Sequence, residues 1–220
     1  MDTGKKCIVI AAGDLNIDMI PDYNEQTDTV IAVDGGLLYC GLLNIEPNII
    51  IGDFDSIDEE MTKAVVLIEK KYPEKVIRLK PEKDDTDMLV ALKWGLARGF
   101  VSFHIYGGLG GRLDHTIANI QSLLYLKNQQ AEGFLFESDG IVMVAMDEEK
   151  KFQPSMDGYL SLFSLEKESV VSIDGMKFPL TSYHLTNDYP IGISNQFLPG
   201  KNAVISVLSG AVVIIIKWET

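Results

Sequence analysis

Ile49-Ile50-Ile51-Gly52-Asp53-Phe54-Asp55-Ser56 is the stretch from which the fold is read. Preceded by Asn48, its three isoleucines form a short apolar run that predicts a fully buried strand, and Gly52 marks where that strand stops. Side chains two apart on an extended segment share a face, so Asp53 and Asp55 are expected to project together from the strand's C-terminal end. Open α/β sheets bind ligands at that end. Two carboxylates side by side repel unless a proton or cation intervenes, and a hard divalent ion with oxygen ligands suits them. Mg²⁺ keeps several waters and is commonly completed by substrate phosphates, so the pair points to phosphate chemistry. Taken alone, an Asp-x-Asp reads more readily as a polar loop in which Asp caps the following helix.

Outward from this stretch the chain alternates. Buried strands are predicted over 6–12, 29–33, 48–51, 75–79 and 101–106. Between them, residues 37–43 have helical character. Residues 61–72 place Ala64, Val65, Leu67 and Ile68 on one helical face, and 86–98 place Met88, Leu89, Leu92 and Leu96 on another, with Gly99 as its stop. A further helix is expected from about 115 to 127. Strand and helix in alternation predict a parallel sheet covered on both faces. Near Gly133 the pattern changes to short β-rich runs. Residues 134–137 and 141–146 flank the hairpin signal Ser138-Asp139-Gly140, and 159–164, 170–173, 203–208 and 211–218 follow. The expected architecture is an α/β domain over 1–135 followed by an antiparallel β-sandwich over 136–220.

Composition narrows the function. A net charge of −13 over 220 residues argues against broad contact with nucleic acid or an anionic membrane. A phosphate ligand must then be held locally, by metal, backbone amides and a few basic side chains. Cys7 and Cys40 lie in apolar contexts without metal-ligand spacing and read as reduced core residues, which suits a cytoplasmic protein. The apolar run at 7–12 is too short for a signal sequence, and nothing approaches a membrane span. His104, inside an apolar strand, reads as a core or edge histidine.

Three further motifs converge on the same expected sheet edge. Gly107-Gly108-Leu109-Gly110-Gly111-Arg112-Leu113-Asp114-His115 puts four glycines between a strand and a helix, where backbone amides approach a polyphosphate without Cβ interference. Arg112 adds a charge-assisted contact. The spacing matches neither the Walker nor the dinucleotide pattern. In Lys83-Asp84-Asp85-Thr86-Asp87, Thr86 or Asp85 is expected to cap the helix while another carboxylate faces the site. Asp34-Gly35-Gly36 supplies one more acidic, backbone-open turn. His115 either orients the glycine-rich turn or only caps its helix.

In this order and spacing, these motifs resemble the thiamine pyrophosphokinase family, and Gly192-Ile193-Ser194-Asn195-Gln196-Phe197 is similar to that family's Ser-Asn segment. The first turn, Ala11-Ala12-Gly13-Asp14, departs from it, since the family more often has paired glycines there, and Asp147 and Tyr189 match weakly. The resemblance implies transfer of the pyrophosphoryl group of ATP to the hydroxyl of thiamine, with release of AMP, by a Mg²⁺-dependent homodimer with sites between subunits. It implies Asp53, Asp55 and Asp87 as metal ligands. It implies Asp34, Gly35, Gly36, Lys83, Thr86, Gly107, Gly108, Gly110, Gly111, Arg112, Asp114 and His115 at the nucleotide, and Ser194 and Asn195 at thiamine. Arg112 would stabilise charge, and Asp87 or Asp55 would take the acceptor's proton. Trp218 either stacks on thiamine's pyrimidine from the partner subunit or serves as a core or dimer contact. The competing functions are a pyrophosphokinase acting on a pterin alcohol, which would not need Ser194-Asn195, and a non-catalytic nucleotide or thiamine sensor.

Overall fold

A computed structural model describes residues 4–19, 21–55, 57–80, 82 and 84–218. The chain divides into two compact units between Ser138 and Asp139. In the first unit the strands are β1 (Cys7–Ile10), β2 (Thr29–Val33), β3 (Ile49–Gly52), β4 (Val76–Arg78), β5 (Ser102–Tyr106) and β6 (Glu132–Glu137). They lie in the order β6-β5-β1-β2-β3-β4, and every neighbouring pair is parallel. β1 is buried along its whole length, as the unbroken apolar run Cys7-Ile8-Val9-Ile10 requires of a strand covered on both faces. β6, expected to open the β-rich half, also pairs in parallel with β5.

Among the described residues, four α-helices accompany the sheet: α1 (Gly36–Leu42), α2 (Glu59–Lys71), α3 (Asp87–Leu96) and α4 (Leu113–Asn128). α2 begins where Asp58 accepts the Met61 N–H at 2.7 Å, with Glu59 and Glu60 in its first turn. α3 turns Met88, Ala91, Leu92 and Gly95 to the core. A Cβ on Gly95 would come within 2.6 Å of the Phe103 ring, so the helix settles closer to β5 than the leucine spacing alone suggests. α4 starts two residues earlier than its sequence pattern indicates. Among the described residues, no helix is long and apolar enough to cross a membrane.

Chain order explains where the glycine-rich turn lies. After β1 the chain adds strands on one side as far as β4, then returns to place β5 on β1's other flank. The switch point therefore falls between β1 and β5, the edge of the sheet at which open α/β folds place their ligands.

The second unit contains two antiparallel sheets. One orders β12 (Asn195–Gln196), β9 (Tyr159–Ser164), β14 (Ala211–Lys217) and β7 (Gly140–Met146). The other orders β11 (Leu180–Thr186), β10 (Glu168–Asp174), β13 (Ala203–Ser209) and β8 (Glu149–Phe152). Alternation governs these strands: in β13, Ala203, Ile205 and Val207 point inward between more exposed neighbours. β8, β11 and β12 have no counterpart in the sequence reading. The first is Glu-Lys-Lys-Phe, the second mostly polar, the third only two residues long.

Candidate active site

The carboxylates assemble at the C-terminal ends of β2 and β3. Asp34 directly follows β2, Asp53 directly follows β3, and Asp87 opens α3. One oxygen from each lies within 4.8 Å of the others, and all three residues are half-buried. Two backbone features make this possible. Asp34 (φ 48°) and Phe54 (φ 61°) both adopt the left-handed conformation, which costs a residue with a Cβ about 1–2 kcal/mol. Gly52 meets the second need: a Cβ there would sit 2.0 Å from Asp34 Oδ1.

Asp34 is held by its neighbours. Its N–H donates to the Ile51 carbonyl at 2.9 Å, and the nearby Phe54 N–H favours the charged form of its carboxylate. Its Oδ1 is buried without a hydrogen-bond partner. Burial, followed by the charge and hydrogen bond of Asp87 and the charge of Asp53, raises its pKa to about 7. The cluster thus requires a proton or a cation. An all-oxygen donor set with one buried, unpartnered oxygen fits a hard divalent ion.

Asp55 behaves differently from the sequence expectation. β3 ends at Gly52 and Phe54 turns left-handed, so the extended geometry that would align Asp53 with Asp55 is broken. Asp55 is exposed, its N–H curls back to Asp53 Oδ1 at 3.3 Å, and it stands outside the group. Asp34, expected only beside a nucleotide, joins Asp53 and Asp87 in its place. A residue directly after Val33, in a turn, gave no periodic signal of this. The Asp34-Gly35-Gly36 motif was the available clue.

Beside Asp87, the Thr86 hydroxyl accepts the Leu89 N–H at 3.1 Å and caps α3. Asp85 is engaged by Lys93 at 2.7 Å instead. The expectation for Lys83 lies outside the described residues. Gly35 precedes α1, and a Cβ on Gly36 would lie 2.0 Å from the Ile10 carbonyl oxygen, so α1 packs directly on β1's backbone.

The glycine-rich turn occupies the switch point. Gly107, Gly110 and Gly111 are all left-handed, with φ of 64°, 77° and 62°. The Gly13 and Asp14 N–H groups donate to the Gly107 and Leu109 carbonyls at 2.8 and 2.9 Å, docking the turn after β1 onto it. Asn119, buried on α4, donates to the Gly108 carbonyl at 2.6 Å. This anchor escaped the sequence reading, and its only signal was an amide on a buried helical face. Arg112 and Asp114 are both exposed and form a two-point ion pair, Nη2–Oδ2 2.6 Å and Nε–Oδ1 3.1 Å. That pairing raises the Arg112 pKa and lowers that of Asp114 to about 2. The His115 N–H donates to Asp114 at 3.0 Å.

The remaining candidates belong to the second unit. Ser194 is exposed and left-handed (φ 57°), and its N–H donates to the Ser161 hydroxyl at 3.0 Å. The Asn195 amide is engaged at both ends, donating to the Phe178 carbonyl at 2.8 Å and accepting the Phe178 and Gln196 N–H groups. It fixes the chain after Ser194 and borders an apolar cavity of about 320 Å³ with Leu160, Leu162, Phe178 and Ile193. Trp218, just beyond β14, is half-buried, and its N–H donates to the Asp139 carbonyl at 3.0 Å.

The chain is similar to known proteins along most of its length. The family model for the thiamin pyrophosphokinase catalytic domain matches residues 20–135, and that for the thiamin pyrophosphokinase vitamin B1 binding domain matches 144–212. Thiamine pyrophosphokinase of Bacillus subtilis is 32% identical over 199 residues, covering 86% of this chain and 88% of the relative. Thiamin pyrophosphokinase 1 of Caenorhabditis elegans is 29% identical over 163 residues, covering 68% of this chain and 62% of the relative. The crystal structure of the Bacillus subtilis protein superposes with a TM-score of 0.83 at 28% identity, covering 98% of this chain and all of that one, 100%.

Proposed function

The chain belongs to the thiamine pyrophosphokinase family of enzymes, and from that membership we propose that it transfers the pyrophosphoryl group of ATP to the hydroxyl of thiamine. The observation that carries the reading is the meeting of Asp34, Asp53 and Asp87 within 4.8 Å at the sheet's C-terminal edge. In the proposed reaction the thiamine hydroxyl oxygen attacks the β-phosphorus. The bond from that phosphorus to the bridging oxygen of the α-phosphate breaks, AMP leaves with the electron pair, and the hydroxyl proton passes to a carboxylate. The exposed Asp55, left out of the three-acid group, is our candidate acceptor.

Asp34, Asp53 and Asp87 would hold Mg²⁺, which when bound supplies charge neutralisation to the triphosphate. The protein's own groups position and stabilise. Amides of the Gly107–Gly111 turn approach phosphate oxygens, and Arg112 turns from Asp114 to meet developing charge. Ser194 and the segment held by Asn195 receive thiamine, and Trp218 stacks on its pyrimidine from the partner subunit of a homodimer. Support for the homodimer comes from family membership alone.

The test is an acceptor assay. Purified protein with ATP and Mg²⁺ is expected to release AMP and thiamine diphosphate when thiamine is supplied, and neither when hydroxymethylpterin replaces it. AMP formed only with the pterin, or with no acceptor at all, overturns the proposal.

A further inference from the structure

Phe54 is an unusual residue to find between two acids of a site. It is left-handed at φ 61° although it carries a bulky side chain, yet its ring is 7% exposed in the core cluster with Ile8, Ile50 and Val76. The backbone it bends does two things. It carries Asp53 out of the strand, and it directs the Phe54 N–H at the Asp34 carboxylate. Anything that fixes Phe54 therefore fixes two of the three carboxylates.

The outer face of that ring is covered by Arg78. Its guanidinium carbon lies 5.0 Å from the ring centroid, within the range of a cation–π contact. Arg78 is itself anchored, since Nη2 donates to Glu69 on α2 at 3.0 Å. It also stands opposite Gly52 in the β3–β4 pairing, and the next residue, Leu79, donates its N–H to the Gly52 carbonyl at 2.8 Å. Glu69, Arg78 and Phe54 thus form a continuous brace from α2 to the end of β3.

We propose that Arg78, held by Glu69, is a positioning residue that clamps the Phe54 ring and so keeps Asp53 and the Phe54 N–H in the arrangement the carboxylate group needs. For its bearing on metal binding, this inference rests on the reading of that group as a divalent-cation site. Arg78 meets the Phe54 ring and Glu69, and through Phe54 its effect reaches the acids. Lysine in its place keeps the charge but loses the planar stack and the fork that Glu69 engages.

Two measurements test it, one of them independent of any metal. Amide hydrogen exchange on the metal-free protein compares wild type, Arg78→Ala and Arg78→Lys. The Phe54 amide is expected to exchange about tenfold faster in Arg78→Ala and to be partly protected in Arg78→Lys, while Ile50 and Ile51 keep wild-type protection. Mn²⁺ titration followed by electron paramagnetic resonance is then expected to show about fivefold weaker binding in Arg78→Ala, with the same ranking. Unchanged exchange at Phe54, or loss of protection spread equally over Ile50 and Ile51, overturns the clamp. Wild-type Mn²⁺ affinity in Arg78→Ala overturns its role at the carboxylates. If wild type itself binds no Mn²⁺, the cation reading falls and the exchange result alone decides what Arg78 does.

Discussion

Asp34 shows how a side chain that completes a carboxylate group can be costly to the fold. Its pKa is raised to about 7 from 3.8. The folded state therefore holds its proton more tightly than the unfolded chain does. Stability from this group is fully present below pH 3.8 and is lost as pH rises through about 7. In chelator at pH 8, Asp34→Asn is expected to raise unfolding free energy by about 1–3 kcal/mol, since it removes a buried charge. The same variant is expected to lose Mn²⁺ binding, so thermal melts with and without Mn²⁺ check both halves. A second contrast separates ligand from proton acceptor. Asp53→Asn is expected to weaken divalent-cation affinity and turnover together. Asp55→Asn is expected to lower turnover by about a hundredfold or more while leaving affinity intact. Equal loss of affinity in both would return Asp55 to the ligand set.

At the scale of elements, caps and anchors set the site's precision. Thr86→Ala removes the α3 cap and is expected to cost about 1 kcal/mol in chemical denaturation, with a larger proportional loss of Mn²⁺ affinity because Asp87 is the next residue. Asn119→Ala leaves the Gly108 carbonyl without its donor, and is expected to raise KM for ATP more than it lowers kcat. Much of this scale was legible in the sequence. Three isoleucines before Gly52 announced β3, and the apolar spacing around Leu92 announced α3, because burial imposes those periods. The aim of Asp53 and Asp55 was misread for a local reason. Strand alternation holds only while the backbone stays extended, and the left-handed Phe54 ends it one residue past Asp53. β8 and β11 were hidden because charged and polar side chains at a sheet's rim leave no apolar trace.

For the molecule as a whole, the order of strands was the part that the sequence left open. Alternating strands and helices imply a parallel sheet, but only tertiary packing decides that β5 returns to flank β1. That choice joins the Gly107–Gly111 turn to the turn after β1. Acidity of the medium also acts at this scale, through His104 on β5. Its Nδ1 is buried without a partner and its ring meets Phe134 and Phe136 at 5.5 and 5.1 Å. Burial first, then Lys6, lowers its pKa from 6.5. Above pH 6.5 both folded and unfolded chains keep the imidazole neutral. Below it the unfolded chain takes up the proton first, so stability falls until the depressed folded value is passed. His104→Phe is expected to flatten the melting temperature between pH 5 and 6.5 relative to wild type.

The pairing of Cys7 with Phe103 has a consequence for biosynthesis. As the polypeptide leaves the ribosome, every acid of the three-carboxylate group emerges before the strand that will carry the glycine-rich turn. The nascent chain must therefore keep β1 with one flank unsatisfied until β5 arrives. Long-range closure of this kind slows folding and leaves an apolar edge open to strangers in the interval. The glycine-rich turn can dock beside β1 only once translation has passed it, so the order of synthesis itself delays completion of the sheet's C-terminal edge.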